Sequence, residues 1–380
     1  MKWVYEHSNW PNFTFQKAQI ETVITSIHRK EAGLIAVLNI AGIETCKEFE
    51  VNNYASEIIS SSKIESINLD ESQVRSSIKR RLGMESTNFI KNRYVDGYIE
   101  VMLDATRNNI NLDKEILLKW HSALFPSGRD DFGNPMNIGS FRNDKQGPMT
   151  IQSVAMGKEK IHYIAPSATV LEKEMTKLLT WYNANHGDKF LKSALAHYWF
   201  LAIHPFDDGN GRVARVIAEH ALNYKTGINI QCYSVSESIE QNRNEYYNIL
   251  EKTSSANSMD ITSYISWYLK EIEKSLDRAK ERLNNVFKKI SFWQNNKIQL
   301  NERQIDMINR LFDDNFIGKL NTDKYSKIYK VSKETASLDL RYLTQQQILK
   351  TYPGGGRSTS YYLSFLGPKK EFMIDQGMSK

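Results

Sequence analysis

The chain has 380 residues, room for two or three domains with real cores, and 41% of them are hydrophobic, an ordinary globular share. Cys46 and Cys232 are too few for a disulfide framework and lack metal-ligand spacing, which suits a reducing cytoplasm; no signal-peptide h-region follows Met1, and no run of 18 apolar residues suggests a membrane span. Net charge is +6, and the stretch from Lys297 to Lys370, with 13 basic and 7 acidic residues, carries all of it, so the last fifth reads as a separate basic module.

In chain order, Trp3, Trp10, Pro11 and Phe13 precede a helical pattern from about Phe15 to Asn39, with Ile20, Val23, Ile24 and Ile27 on a 3.6-residue period. The aromatics read as core rather than as a binding surface. A second helix is expected from about Thr45 through Ser62. Ser62-x-x-Glu65 fits a capping box at a helix start. Helices at about Thr87–Thr106 and Lys114–Leu124 follow. A loop rich in Gly, Asn, Asp and Pro then runs from Pro126 to Pro148. Met149–Val154 and Lys160–Ile164 read as paired strands, with the turn at Ala155–Glu159. An isolated two-stranded ribbon is marginal in a helical protein, which favours a functional reason for it.

An amphipathic helix is expected from Val170 to Asn185, with Leu171, Met175, Leu178, Leu179 and Tyr182 inward. Phe190 to Ile203 is almost wholly apolar and should be the buried central helix. His197 on it, like His186 and His220, reads as a core histidine. The stretch from Ser236 to Lys252 holds Asn242-Arg243-Asn244-Glu245-Tyr246-Tyr247. A long charged helix from Ile261 to about Phe292 reads as a spacer.

Chemistry concentrates between the apolar helix and a second helical run, Val213 to Tyr224. The sequence there is His204-Pro-Phe206-Asp207-Asp208-Gly209-Asn210-Gly211-Arg212-Val-Ala-Arg215. Gly209 and Gly211 permit positive φ and a close approach of main chain to ligand. Free N–H groups at a helix start attract anions. Asn210 adds a neutral donor, and Arg212 and Arg215 add forked cations suited to phosphate. Asp208 is a hard oxygen ligand of the kind Mg²⁺ takes beside phosphates. His204 accepts a proton near neutral pH. A metal-only site of His204, Asp207 and Asp208 would leave the arginines unexplained.

This stretch resembles the signature of the Fic family, H-P-F-x-(D/E)-G-N-G-R-x-x-R, at every fixed position. The resemblance implies a mainly α fold: a Fic-type helical core with a β-hairpin flap and an N-terminal helical module, itself similar to one found on some bacterial Fic proteins. It implies transfer of AMP from ATP, with Mg²⁺, to a Ser, Thr or Tyr hydroxyl of a target protein. His204 would be the general base. Asp208 would bind the metal. Asp208, Gly209, Asn210, Gly211, Arg212 and Arg215 would hold the nucleotide, Arg212 taking the γ-phosphate and Phe206 packing inward. Gly139-Ser140-Phe141-Arg142 is similar to the G-x-x-R before the family's flap. The flap would hold the target segment by strand addition. Nucleotide contacts would extend to Met156, Gly157, His162 and Tyr163 of the flap and to Tyr246 and Tyr247.

Ser61-x-x-x-Glu65-Ser66 resembles the family's inhibitory (S/T)-x-x-x-E-(G/N), departing at Ser66. That implies restraint by Glu65, with Ser61, through a pair with Arg212. The C-terminal pattern is helix Glu302–Phe312, helix Thr322–Tyr329, helix Lys333–Gln346 capped by Ser332, then two strands around Gly354–Arg357. It resembles a winged helix-turn-helix, with Lys333, Thr335, Ser337, Arg341 and Arg357 toward DNA and Glu334 and Asp339 opposing it. The domains expected are 1–108, 109–256, a linker 257–298 and 299–380, with a tail from Gly367. DNA and a second copy of the chain are candidate partners. Two other functions stay open: AMP removal or transfer of another phosphate-linked group, and a nucleotide-sensing transcriptional regulator.

Overall fold

The computed structural model describes residues 2–84, 92–131, 133–145, 147–155, 158–184, 187–224, 231–256, 258–295, 298–312, 316, 318–353 and 359–368, with backbone only at 154–155 and 158–159. His186, Met156, Gly157, Arg357 and the end of the tail lie outside these residues. The fold is mainly α. It divides into two compact units, Met1–Ala279 and Lys280–Lys380.

The first unit begins with α1 (Lys17–Ile40) and α2 (Ile43–Ile64), then α3 (Glu71–Arg81), α4 (Arg93–Arg107) and α5 (Lys114–Leu124). The strands β1 (Thr150–Ala155) and β2 (Lys158–Ile164) follow, then α6 (Leu171–Ala184), α7 (Lys189–Ile203), α8 (Asn210–Asn223), α9 (Val235–Gln241), α10 (Arg243–Ser255) and α11 (Thr262–Asn295), which runs past the unit boundary. One apolar core joins α2, α4, α5, α6, α7 and α8, with Ile58, Met102, Trp120, Phe200, Phe206 and Val213 essentially inaccessible. The aromatic N-terminus packs as expected: Phe13 meets Tyr198 and Trp199 edge-on, and Trp3 meets Tyr163.

Three expectations change, and one stretch gains its bounds. α3 was not foreseen; Asp70 caps it by accepting from the Gln73 N–H, but only Val74 and Ile78 give it apolar periodicity. The hairpin turn is tighter than Ala155–Glu159, because Ala155 pairs with Lys158. The stretch Ser236–Lys252, given no bounds from sequence, lies on two helices broken at Asn242. α8 starts three residues earlier than Val213, at Asn210.

The second unit has α12 (Glu302–Phe312), β3 (Leu320–Asn321), α13 (Thr322–Tyr329), α14 (Lys333–Gln345), β4 (Leu349–Thr351) and β5 (Ser360–Leu363), the strands in order β3-β5-β4. Met307, Ile308, Tyr325, Leu340, Leu343 and Leu363 form its core. Asp339 does not face outward to oppose a phosphate backbone. It is buried and accepts from Asn301 Nδ2, Arg303 Nε, Gln304 Nε2 and the Tyr325 hydroxyl. A carboxylate so satisfied fixes α12 and α13 on α14.

Candidate active site

The signature occupies the turn from α7 into α8. α7 ends at His204 with φ 52°, a left-handed conformation that few non-glycine residues adopt. Gly209 then takes φ 79° as the N-cap of α8. A Cβ there would stand 2.4 Å from Phe125 Cε2, so both backbone angle and space require glycine. Gly211 lies within α8, and its need is space alone: a Cβ would meet Glu65 Oε1 at 2.4 Å. The turn is braced from within. Asn210 Oδ1 accepts from the Phe206 N–H (2.9 Å), and Asn210 Nδ2 donates to the Phe206 carbonyl (2.8 Å). The Asn210 side chain is thus committed to the loop, and what it can offer a ligand is its main-chain N–H. Phe206 is fully buried, stacked on His121 at 4.0 Å. Arg142 donates through Nε to the His204 carbonyl (2.8 Å) and through its N–H to Pro205 (2.9 Å).

His204 is half-buried, with Nδ1 3.3 Å from the Leu201 carbonyl. A carbonyl only accepts, so Nδ1 carries the proton and Nε2 keeps its lone pair. Burial, with the Arg142 charge adding to it, lowers the imidazole pKa to about 4. At neutral pH this side chain is a neutral base.

The two arginines have different partners from those expected. Arg212 is fully buried and does not pair with Glu65. It lies over the Phe125 ring at 4.3 Å, donates to the Tyr94 hydroxyl (2.9 Å) and to Asp131 Oδ2 (2.7 Å), and has Asp208 Oδ1 at 3.7 Å. Arg215, one helical turn on, holds Glu65: Nη2 to Oε1 is 2.7 Å. The same guanidinium donates to the Ser61 hydroxyl (2.7 Å) and carbonyl (3.0 Å), while Nη1, fully buried, has no hydrogen-bond acceptor among the described residues. Burial pulls the Arg215 pKa down, but Glu65, with the Tyr98 and Tyr246 hydroxyls, more than offsets this and raises it.

Glu65 reaches Arg215 because α2 stops there. Ile67 N–H bonds to the Ser62 carbonyl and Ser66 N–H to the Lys63 carbonyl, a Schellman closure with Ser66 at φ 65°. The position where the family has Gly or Asn is thus a left-handed one. Glu65 stands at the end of a helix, so it cannot be the third residue of a capping box at a helix start. Its carboxylate lies against Gly211 in the first turn of α8, where a helix start attracts an anion.

Asp208 accepts the Gly209 N–H on Oδ1 (2.6 Å) and, more distantly, the Asp131 N–H on Oδ2 (3.3 Å). Among the described residues no group of three or more His, Cys, Asp or Glu could hold a metal alone, so His204, Asp207 and Asp208 do not assemble one; Asp207 instead accepts from Asn137. One half-exposed carboxylate does fit Mg²⁺ that arrives with phosphates. Elsewhere, Tyr163 is buried and donates to the Ala202 carbonyl (2.6 Å), and Tyr246 is buried with its hydroxyl 3.3 Å from His197 Nε2. Both are core residues rather than open contacts for a ligand. Tyr247 is 42% exposed, and His162 joins Glu251 at 2.6 Å. Asp131 and Tyr94 were missed, since nothing in the local pattern of either segment points at Arg212.

The core that carries this turn is mainly helical, and residues 111–222, which include it, match the model described as the Fic/DOC family. Residues 3–84 match one described as Domain of unknown function (DUF4172). The chain is 26% identical over 261 residues to a Culex quinquefasciatus protein named "Protein adenylyltransferase Fic", covering 67% of this chain and 45% of that one. A Drosophila yakuba protein of the same name is 32% identical over 118 residues, 30% of this chain and 22% of its own. The chain therefore spans less than half the length of these curated relatives. A Fic family protein from Desulfovibrio desulfuricans shares the fold at TM-score 0.55 and 20% identity, over 94% of this chain and 99% of its own. A Fic domain containing signaling protein from Bacteroides thetaiotaomicron does so at 0.51 and 18%, over 70% and 96%.

Proposed function

We propose that the protein is an adenylyltransferase that moves AMP from ATP to a Ser, Thr or Tyr hydroxyl of a target protein and is restrained by Glu65. The target oxygen attacks the α-phosphorus, the bond to the bridging oxygen breaks, and pyrophosphate leaves. His204 Nε2 takes the hydroxyl proton. The main-chain N–H groups at the start of α8 and the Arg215 fork hold phosphate oxygens. Arg212, clamped by Asp131 and Tyr94, fixes Asp208 from beneath. Asp208 would hold Mg²⁺, which neutralises charge on the departing pyrophosphate. The flap β1–β2 receives the target strand.

The observation that carries this reading is the Glu65 carboxylate on Arg215 beside Gly211: an internal anion fills the place built for an external one. Names of the relatives support the same reaction. The test is label transfer from [α-³²P]ATP by wild type and Glu65→Gly. We further propose that the C-terminal unit contacts DNA, on the ground that α14 exposes Lys333 and Arg341 while turning Asp339 inward.

A further inference from the structure

α10 carries Arg243, Tyr247 and Glu251 at i, i+4 and i+8, one stripe along the helix. Each holds something outside α10. Arg243 Nη2 donates to the Ser66 hydroxyl (2.9 Å), and the Tyr247 hydroxyl donates to the Ile64 carbonyl (3.1 Å). These two flank Glu65 in the chain. One turn further, Glu251 Oε1 pairs with Lys160 Nζ and Oε2 with His162 Nδ1, both at 2.6 Å and both on β2 of the flap. His162 Nε2 in turn meets Ser153 Oγ of β1 at 2.7 Å.

The end of α2 needs such support. The last carbonyls of a helix have no internal partners. The Schellman closure uses those of Ser62 and Lys63, which leaves Ile64, and Tyr247 takes it. Ser66 sits in a left-handed conformation that is unfavourable for a residue with a Cβ and that glycine adopts freely. Arg243 holds that residue by its side chain. The direction in which the Glu65 side chain leaves the helix depends on this final turn.

We infer that Arg243 and Tyr247 are positioning residues for the restraining carboxylate, and that Glu251 joins the flap to the same helix face, so that loosening the flap loosens Glu65. This rests on the reading of Glu65 as a restraint. A residue with a merely structural role loses activity when removed, whereas a positioning residue for a restraint gains it.

The experiment measures transfer from [α-³²P]ATP into protein by wild type, Glu65→Gly, Arg243→Ala, Tyr247→Phe, Glu251→Ala and the double variant Glu65→Gly/Arg243→Ala. Tyr247→Phe should raise transfer about 3- to 10-fold, the factor one neutral hydrogen bond supplies, and Arg243→Ala, which removes a charged donor, at least as much. Glu251→Ala should raise it about 2-fold, and amide exchange at Ser66 and Ile67 should quicken in Arg243→Ala. The double variant should match Glu65→Gly, since no restraint is left to position. If Glu65→Gly gains while Arg243→Ala and Tyr247→Phe do not, the positioning role falls and the restraint stands. If Glu251→Ala alone gives no gain, the link to the flap is wrong. If Glu65→Gly itself gains nothing, the restraint falls and this inference with it.

Discussion

Replacing Glu65 by Gly removes the carboxylate paired with Arg215, whose side chain is only 3% exposed. Stripping one partner from a buried ion pair costs roughly 3–5 kcal/mol. Here the Glu65 side chain is 26% exposed, so water reaches the pair, and Ser61 keeps two bonds to Arg215. We therefore expect a loss of about 1–3 kcal/mol without nucleotide, seen as a Tm lower by about 2–4 °C per kcal/mol. ATP should narrow the gap. In the variant a phosphate supplies the missing anion, and saturation at a hundred times Kd adds about 2.7 kcal/mol. In wild type the same site is already filled, so ATP should shift Tm less. Differential scanning fluorimetry of wild type and variant, with and without ATP and Mg²⁺, reads all four values. Equal ATP shifts in the two proteins would refute the argument that the carboxylate holds the phosphate place. Loss of stability alone decides nothing, because a helix cap and an ion pair both produce it.

His204→Ala in the Glu65→Gly background should lower transfer by ~10²–10⁴-fold and leave the ATP-induced Tm shift intact, as expected of a group that moves a proton without holding phosphate; undiminished transfer would remove His204 from the mechanism. Four imidazoles, the buried His121, His197 and His220 and the half-buried His204, are held below the ordinary 6.5, at about 4, 3, 4 and 4 in that order, chiefly by burial. The unfolded chain then binds more protons than the folded one below pH 6.5, so stability is full above that value and falls as pH drops toward 4; a denaturation midpoint unchanged between pH 7 and pH 5 would contradict it. Val154 pairs with Glu159 in the flap, and Val154→Pro should impair modification of a target protein while ATP binding survives; unimpaired modification would exclude strand addition there. Binding of mixed-sequence duplex DNA by the full chain should fall steeply with salt, and a chain cut before Lys297 should lose it; no retention at low salt would make the basic unit a protein contact.

The signature was legible because its chemistry lies within twelve consecutive residues, and His204, Gly209 and Phe206 stand as their types required. The stretch around Glu65 was legible only by resemblance, and its partner was misread. Spacing alone does not say which of two arginines one turn apart faces a helix from elsewhere; packing of α2 on α8 selects Arg215 and leaves Arg212 to Asp131. Asn210 looked like a free donor because nothing in sequence shows its amide folding back on Phe206. α3 escaped notice because its residues are mostly charged, although Asp70 before it and Lys79-Arg80-Arg81 at its end are the signals of a helix start and stop. Asp339 was assigned outward by its charge, yet four donors from α12 and α13 and the turn before them make burial favourable.

The proposed restraint of a His204-run nucleotidyl transfer by an internal carboxylate is open to one experiment. It is tested most directly by giving [α-³²P]ATP and [γ-³²P]ATP in parallel to wild type, Glu65→Gly and Glu65→Gly/His204→Ala, and counting label fixed to protein. α-Label in Glu65→Gly should stand far above wild type, with none from the γ-position and a return to background in the double variant. Label from the γ-position, or α-label equal in all three proteins, would contradict it.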